Sequence, residues 1–379
     1  MESLIEEYDT ERVPNDWELK QLGEIADIVG GGTPSTFIPE YWNGDINWFT
    51  PTEIGLSKYS FESSRKITRK GLENSSAKVL PEGAILLTSR AAIGDVSILM
   101  KEGCTNQGFQ SLIAKKGVNN EYLYYLVSTL KRIFLQNASG STFLEISPKK
   151  VKSVIVSVPQ SQEEQTAIAT ALSDTDALIE NLEKLIAKKR NIKQGVMQEL
   201  LKPKSNWVLT SVGEVAKICK GEQLNKDTLA AQGQYPVMNG GIQPSGYSDK
   251  WNQNPNTIII SEGGNSCGYV NFIKTRFWQG GHCYSVDAKI HKHFLFHLLK
   301  FHEKEIMALR VGSGLPNIQR NRLIEFSLRI PDKENQHKIA TVLDEISEEI
   351  IAMEHKLLKY SMIKHGMMQA LLTGKIRLV

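Results

Sequence analysis

The sequence lacks the residue patterns that would carry chemistry. It has no Gly-x-x-x-x-Gly-Lys-Ser/Thr loop to cradle a nucleotide phosphate. It also has no Asn/Asp-Pro-Pro-aromatic tetrapeptide of the kind that methylates amino groups; Asn254-Pro255-Asn256 stops short of it, and Gly30-Gly31-Gly32 lacks the strand-to-helix context of a cofactor loop. Its 4 cysteines, Cys104, Cys219, Cys267 and Cys283, are scattered with no Cys-x-x-Cys pair. That argues against a disulfide framework and for a reducing cytoplasm. No apolar run approaches the length of a membrane span. The acidic start, Met1-Glu2-Ser3, lacks the basic and apolar regions of a secretory leader. Strong charge is missing too: the net value is +3, so bulk charge does not argue for nucleic-acid binding and local clusters must do so. Arg65, Lys66, Arg69 and Lys70 form one such cluster; Lys149, Lys150 and Lys152, then Lys188, Lys189 and Arg190, then Arg320 and Arg322, form others.

Two apparent sites do not withstand a reading of their context. Asp332, Glu354 and Lys356 superficially fit a metal-dependent nuclease, but Glu354 and Lys356 fall on an expected long helix, where residues two apart do not face each other. His293 and His297 are one helical turn apart, a zinc-compatible spacing, but no third ligand is fixed nearby. The sequence therefore predicts no catalytic residue, no metal ligand and no cofactor in this chain.

An internal repeat organises what is present. Trp17, Leu19, Gly23, Glu24 and Ala26 recur in order as Trp207, Leu209, Gly213, Glu214 and Ala216; Ile146 and Pro159 recur as Ile318 and Pro331; Gln165, Ile168, Ala169 and Leu172 recur as Gln336, Ile339, Ala340 and Leu343. The offset shrinks along the chain, so the second copy is shorter in its middle. The expected order is a globular unit over residues 1–160, a connector over 161–204, a second unit over 205–331 and a second connector over 332–379.

Both connectors read as long helices. Ile168, Leu172, Thr175, Ile179, Leu182 and Ile186 are spaced alternately by four and three, as are Ile339, Leu343, Ile346, Ile350, Met353 and Leu357. That alternation marks a coiled-coil seam, and at 1.5 Å per residue each helix would be about 60 Å long. Two matched seams in one chain favour antiparallel pairing with each other; a coiled coil between two chains is the competing arrangement. The globular units mix β-rich runs such as Ala84–Thr88 and Thr257–Ser261 with helical patches such as Glu121–Leu126 and His293–Leu298. The fold class is therefore α+β, with two mixed units separated by two long helices.

Loops rich in Gly and small polar residues recur at comparable places in both units. In the first they hold Gly31, Gly32, Thr33, Ser35 and Thr36; Trp48, Thr50 and Thr52; Ser89 and Arg90; Asn106 and Gln107; and Ser141 and Thr142. In the second they hold Asn239 and Gly240; Ser261 and Asn265; Gln279 and His282; and Ser313, Asn317 and Arg320. Arg suits guanine and Asn or Gln suits adenine in the major groove, whereas Ser, Thr and backbone N–H groups mostly hold phosphate. Comparable loops with different side chains are what two readers of different half-sites would carry.

With these residues in view, the chain resembles the specificity subunit of type I restriction–modification enzymes over nearly its whole length. The match runs through Pro14-Asn15-Asp16-Trp17, Leu22-Gly23-Glu24-Ile25-Ala26, Gly32-Thr33-Pro34-Ser35, Tyr41-Trp42-Asn43-Gly44-Asp45-Ile46-Asn47-Trp48, Leu87–Gly94, Thr105-Asn106-Gln107-Gly108-Phe109, Gly140-Ser141-Thr142 and Glu163–Ala169. The second unit departs from it: the Gly-Gly-Thr-Pro and Trp-x-Gly elements are missing, and Asn335-Gln336 stands where Glu-Gln is usual. The resemblance implies two target-recognition domains held apart by an antiparallel helix pair, each reading half of a bipartite, non-palindromic site on double-stranded DNA. It implies docking to two adenine-methylating modification subunits and to restriction subunits that translocate and cut DNA. S-adenosylmethionine, ATP and Mg would then act on those partners, and no membrane would be involved.

Overall fold

The computed structural model describes residues 13–140, 144–225, 227, 229–312, 314 and 316–378. The chain forms two compact units, the first running to Asn181 and resuming at Leu357, the second spanning Leu182–Lys356.

The first unit contains β1 (Trp17–Gln21), α1 (Leu22–Ile25), β2 (Ala26–Gly30), β3 (Trp42–Phe49), β4 (Tyr59–Ser60), β5 (Lys66–Ile67), α2 (Arg69–Glu73), β6 (Ile85–Leu87), β7 (Val96–Leu99), β8 (Gly103–Thr105), β9 (Gln110–Ala114), α3 (Asn120–Thr129), α4 (Lys131–Asn137), α5 (Pro148–Lys152) and β10 (Ile155–Pro159). The 40-residue helix α6 (Gln162–Leu201) follows. The second unit contains β11 (Val208–Ser211), α7 (Val212–Val215), β12 (Ala216–Lys220), β13 (Tyr235–Met238), β14 (Gly246–Ser248), β15 (Thr257–Ser261), β16 (Val270–Ile273), β17 (Trp278–Gln279), β18 (Cys283–Ala288), α8 (Lys292–Phe301), α9 (Glu303–Ala308), α10 (Arg320–Ile324) and β19 (Ser327–Ile330). It leads into the 39-residue helix α11 (Lys333–Leu371).

The sheets repeat as the sequence does. An antiparallel pair opens and closes each unit, β1 with β10 and β11 with β19. A main sheet runs β2-β9-β6-β7-β4 in the first unit and β12-β18-β15-β16 in the second. A smaller sheet runs β5-β3-β8 and β14-β13-β17, and in each case its centre strand pairs antiparallel on one side and parallel on the other.

Most of the recurring residues fasten this scaffold, although Leu19 and Leu209 are exposed. Trp17 and Trp207 are both buried in the cores. Glu24 and Glu214 accept the backbone N–H of Gln21 and Ser211, satisfying a donor at the start of α1 and α7. Gln165 bridges the amide of Asn119 (2.9 Å) and the carbonyl of Pro159 (3.1 Å); Gln336 bridges the amide of His291 (3.3 Å) and the carbonyl of Pro331 (2.9 Å). Both glutamines are buried, so the bridge ties a strand end, a long helix and a helix cap together where water does not compete.

The two long helices pair antiparallel within each unit. In the first, Thr175 meets Met367 and Asp176 meets Lys364 at 2.6 Å, so a step forward on α6 is a step back on α11. In the second, Lys189 pairs with Glu349 and Arg190 with Glu354 (2.6 Å). Ile168, Leu172, Leu182, Ile186, Ile339, Leu343 and Ile350 are buried, and Ile179, Ile346, Met353 and Leu357 are half-buried along the same stripe. The connectors are not free-standing rods. Ile168, Ala169, Leu172, Leu371 and Leu372 belong to the first unit's core, and Leu201, Ile339, Ala340 and Leu343 to the second's. The division between units therefore falls inside each helix rather than at its ends.

Candidate functional site

The loops singled out by composition come together in each unit. In the first, the Gly31–Ser35 loop is fastened to the Thr105–Gly108 loop by Gly32 N to Thr105 O (2.9 Å), and Asn106 N reaches Phe49 O (3.1 Å). Ser89 N donates to Gly108 O (2.7 Å), and Ile146 N donates to Ser89 O (3.1 Å). Arg90 and Glu145 face each other across a β-bridge, with Arg90 Nε 2.9 Å from the Glu145 carboxylate. Glycine at position 31 is a steric requirement, since a Cβ there would lie 2.0 Å from Asn106 O. Beside it, Glu53 closes a capping box on Thr50. Burial alone would push its carboxyl up, but hydrogen bonds from the Ser64 and Thr50 amides and the Thr50 hydroxyl outweigh it and hold the pKa below the usual carboxylate value.

The second unit builds the same cluster from different residues. Glu222 N donates to Gln279 O (2.9 Å), Gly280 N to Met238 O (2.8 Å), Glu262 N to His282 O (2.9 Å), and Ile318 N to Glu262 O (2.8 Å). Gly263 and Asn317 bridge where Arg90 and Glu145 do. A Cβ on Gly221 would lie 2.4 Å from Gln279 O, which makes Gly221 the counterpart of Gly31.

Not every expected contact residue can reach a ligand. Trp48 is buried and its indole N–H donates to Gly32 O (2.8 Å), so it braces the loop from beneath. Ser89 and Ser261 are buried, the latter hydrogen-bonded to Gly240 O. Gln279 is fully buried; its side-chain amide donates to Cys219 O and Cys283 O (both 3.0 Å) and its side-chain oxygen accepts from Gln253. Gly32 and Gly240 are buried as well. These six assignments are corrected to scaffold roles. Small polar residues in Gly-rich loops also satisfy the buried carbonyls that such loops create. Arg320 is exposed overall, but its guanidinium is committed to Ile218 O (2.9 and 3.1 Å).

Thr33, Ser35, Thr36, Thr52 and Gln107 are exposed, and Gly31, Thr50, Arg90 and Asn106 are half-buried. In the second unit Asn265, His282 and Asn317 are exposed and Asn239 is half-buried, its side-chain amide oxygen accepting from His282 N (3.3 Å). Ser141, Thr142 and Ser313 lie outside the described residues.

Two groups of site residues escaped the sequence reading. Glu222 and Gln223 follow Gly221 into the cluster, and the Trp17-to-Trp207 offset carries Gly31 onto Gly221, so the signal was present. Phe37 stands 94% exposed and had no repeat partner to mark it. Arg65, already part of a basic cluster in the sequence, is exposed with its guanidinium 3.8 Å from the ring of Trp42.

The two decoys have structural explanations. Asp332 accepts hydrogen bonds from Asn335 at the start of α11, and Glu354 pairs with Arg190 about 30 Å further along that helix. They cannot meet at one metal. His293 and His297 share the carboxylate of Asp344 at 2.6 and 2.8 Å.

Among the described residues, no helix is long and apolar enough to cross a membrane. The Type I restriction modification DNA specificity domain matches this chain twice, over residues 14–189 and 204–360. The specificity subunit of the type I restriction enzyme MjaIX of Methanocaldococcus jannaschii is 31% identical, covering 99% of this chain and 97% of its own. The EcoprrI specificity subunit of Escherichia coli is 25% identical, with 91% and 89% covered. The S subunit of a type I restriction–modification system from M. genitalium shares the fold, with a TM-score of 0.68, 17% identity and 96% and 97% coverage. The duplicated scaffold, the paired helices and these matches agree: the chain belongs to the family of type I restriction–modification DNA specificity subunits.

Proposed function

We propose that each unit reads one half of a bipartite, asymmetric site on double-stranded DNA through its loop cluster, over residues 17–159 and 207–331. One observation carries this reading. The same hydrogen-bonded cluster is built twice, yet equivalent positions carry different side chains: Arg90 and Glu145 against Gly263 and Asn317, and Thr33 and Gln107 against Gln223 and Gly281. A shared frame with divergent tips suits two readers of unlike sequences. The helix pair sets the spacer between the half-sites and offers the surface on which two adenine-methylating subunits and the restriction subunits assemble. Catalysis belongs to those partners, which bind S-adenosylmethionine, ATP and Mg; this chain supplies recognition.

The test is an exchange of the first unit for that of a relative, followed by mapping of methylated adenines. One half of the methylated motif should change and the other should stay. An exchange that alters both halves, or neither, overturns the assignment. The rigorously purified chain alone should transfer no methyl group from S-adenosylmethionine.

A further inference from the structure

Phe37 is the most exposed large apolar side chain among the described residues. A flexible loop could carry it at no consequence, but this loop is held. Ile38 N donates to Ser35 O (3.4 Å), the Trp42 indole N–H donates to the same carbonyl (3.1 Å), and Tyr41 N donates to Ile38 O (3.1 Å). Pro34 and Pro39 flank the turn, and the Thr33 hydroxyl is tied to Gln107 on the neighbouring loop. The Thr36-Phe37 apex therefore projects from a braced turn continuous with the first unit's loop cluster.

A basic segment lies against the same turn. Thr68 N donates to Tyr41 O (2.9 Å) and the Thr68 hydroxyl to Glu40 O (2.7 Å). A Cβ on Gly71 would lie 2.5 Å from Tyr41 O, so α2 packs directly on this stretch. That contact brings Arg65, Arg69 and Lys70, all exposed, beside the turn. Arg65 is aimed by its stack on Trp42, which meets Trp48 edge-on at 5.0 Å. Glu40 and Glu73 offset part of the charge, but the Arg69–Glu73 pair is solvent-exposed, so phosphate can displace the carboxylate.

We propose that the Ser35–Ile38 turn is a wedge, with Phe37 stacking on an unstacked base step of the DNA and Arg65, Arg69 and Lys70 holding the phosphates beside it. Apolar wedges flanked by cations kink duplexes by partial unstacking, and an aromatic ring stacks on any base. Charge complementarity and continuity with the loop cluster select DNA over an apolar protein partner. The inference rests on the reading that the first unit contacts DNA.

The experiment uses the full chain assembled with its modification subunits, and duplexes of the mapped motif with 2-aminopurine replacing in turn each adenine of the first half-site and its flanks, except the adenine that is methylated, which a methyltransferase itself unstacks. The wild-type complex should raise the fluorescence at one step, and Phe37→Ser should abolish the rise. That variant should bind roughly 5- to 150-fold more weakly with the salt dependence unchanged, whereas Phe37→Trp should restore both readouts. Arg65→Gln should lower the salt slope by about one. Because Phe37 is exposed, its replacement should leave the melting temperature unchanged. If Phe37→Ser binds and unstacks DNA like the wild type while the unit exchange changes one half-site, the wedge is overturned and the recognition reading stands. If the exchange itself fails, that reading falls instead.

Discussion

The two units fasten their globular part to the long helices with nodes of different chemistry. In the first, the Tyr125 hydroxyl donates to Asp176 (2.6 Å) and Asp176 pairs with Lys364 (2.6 Å). Lys58 donates to Tyr125 (2.9 Å) and Ser173 (2.7 Å). In the second, the counterparts of Tyr125 and Ser173 are His297 and Asp344, and they bond to each other directly. His293 adds a second contact to the same carboxylate. Burial pushes the Tyr125 hydroxyl far above its usual pKa, helped by the hydrogen bond to Asp176, so it stays protonated. Burial pushes His297 below its usual value despite Asp344, so its neutral form is favoured. One backbone frame thus accepts two polar fastenings, and only the second is built on imidazoles, the side chains whose ordinary pKa lies nearest neutrality.

The equivalence of the cores can be broken first. Leu172→Ala and Leu343→Ala each remove a fully buried side chain at matched positions and should cost about 2–5 kcal/mol by denaturant unfolding. The two losses should agree within roughly 2 kcal/mol, the spread seen among Leu→Ala changes at buried sites; a wider gap would show that the repeat is not energetically symmetric. Next come the glutamine bridges. Gln165→Leu and Gln336→Leu should each cost about 1–3 kcal/mol, because a strand-end carbonyl and a helix-cap amide are left unpaired.

The pH response should separate the units. With its folded pKa lowered, His297 binds a proton less readily in the folded chain than in the unfolded one. Stability is then complete above about pH 6.5 and falls as the pH drops below it. His291, also lowered, by burial and then by His337 and His293, adds in the same direction. Hydrogen exchange should show the second unit loosening between pH 7.5 and 5.5 while the first holds, and His297→Gln should reduce the effect. Lys193 on α6, Lys300, Glu354 and Asp344 share this surrounding, so equal loosening of both units would remove the node as its cause.

The smallest effect on stability is expected at Arg90. Its ion pair with Glu145 is half-exposed, so Arg90→Ala should change stability by no more than about 1 kcal/mol. DNA binding should weaken more visibly. Relaxed specificity at one position would mark base reading, and a uniform loss with a shallower salt slope would mark phosphate contact.

Much of the architecture was legible because it rests on periodicity and repetition. The alternation of Ile168, Leu172, Ile179, Leu182 and Ile186 needs only helical geometry to become one stripe, and its match in Ile339–Leu357 follows from the same rule. The recurring Trp, Gly, Glu and Gln residues mark fastening points because those contacts lie within one unit and occur twice. Among the DNA-facing candidates the reading was poorer. Composition does not separate a polar side chain that faces solvent from one that is buried: Trp48, Ser261 and Gln279 satisfy buried carbonyls, and Ser89 is buried beneath the loops.

The sequence by itself determined the duplication, the two long helices and the loops on which variation is concentrated, since each is a matter of spacing along the chain. Tertiary structure alone decided which loop residues stay exposed, because hydrogen bonds such as Gln279 to Cys219 O and Cys283 O join residues far apart in sequence. It also decided that each helix belongs to both units, because Leu371 and Leu201 reach different cores only once the chain has folded back on itself. And it brought the Arg65–Lys70 segment against the stretch that carries Phe37, through the contacts of Thr68 with Tyr41 and Glu40 and of Arg65 with Trp42, which no local pattern encodes.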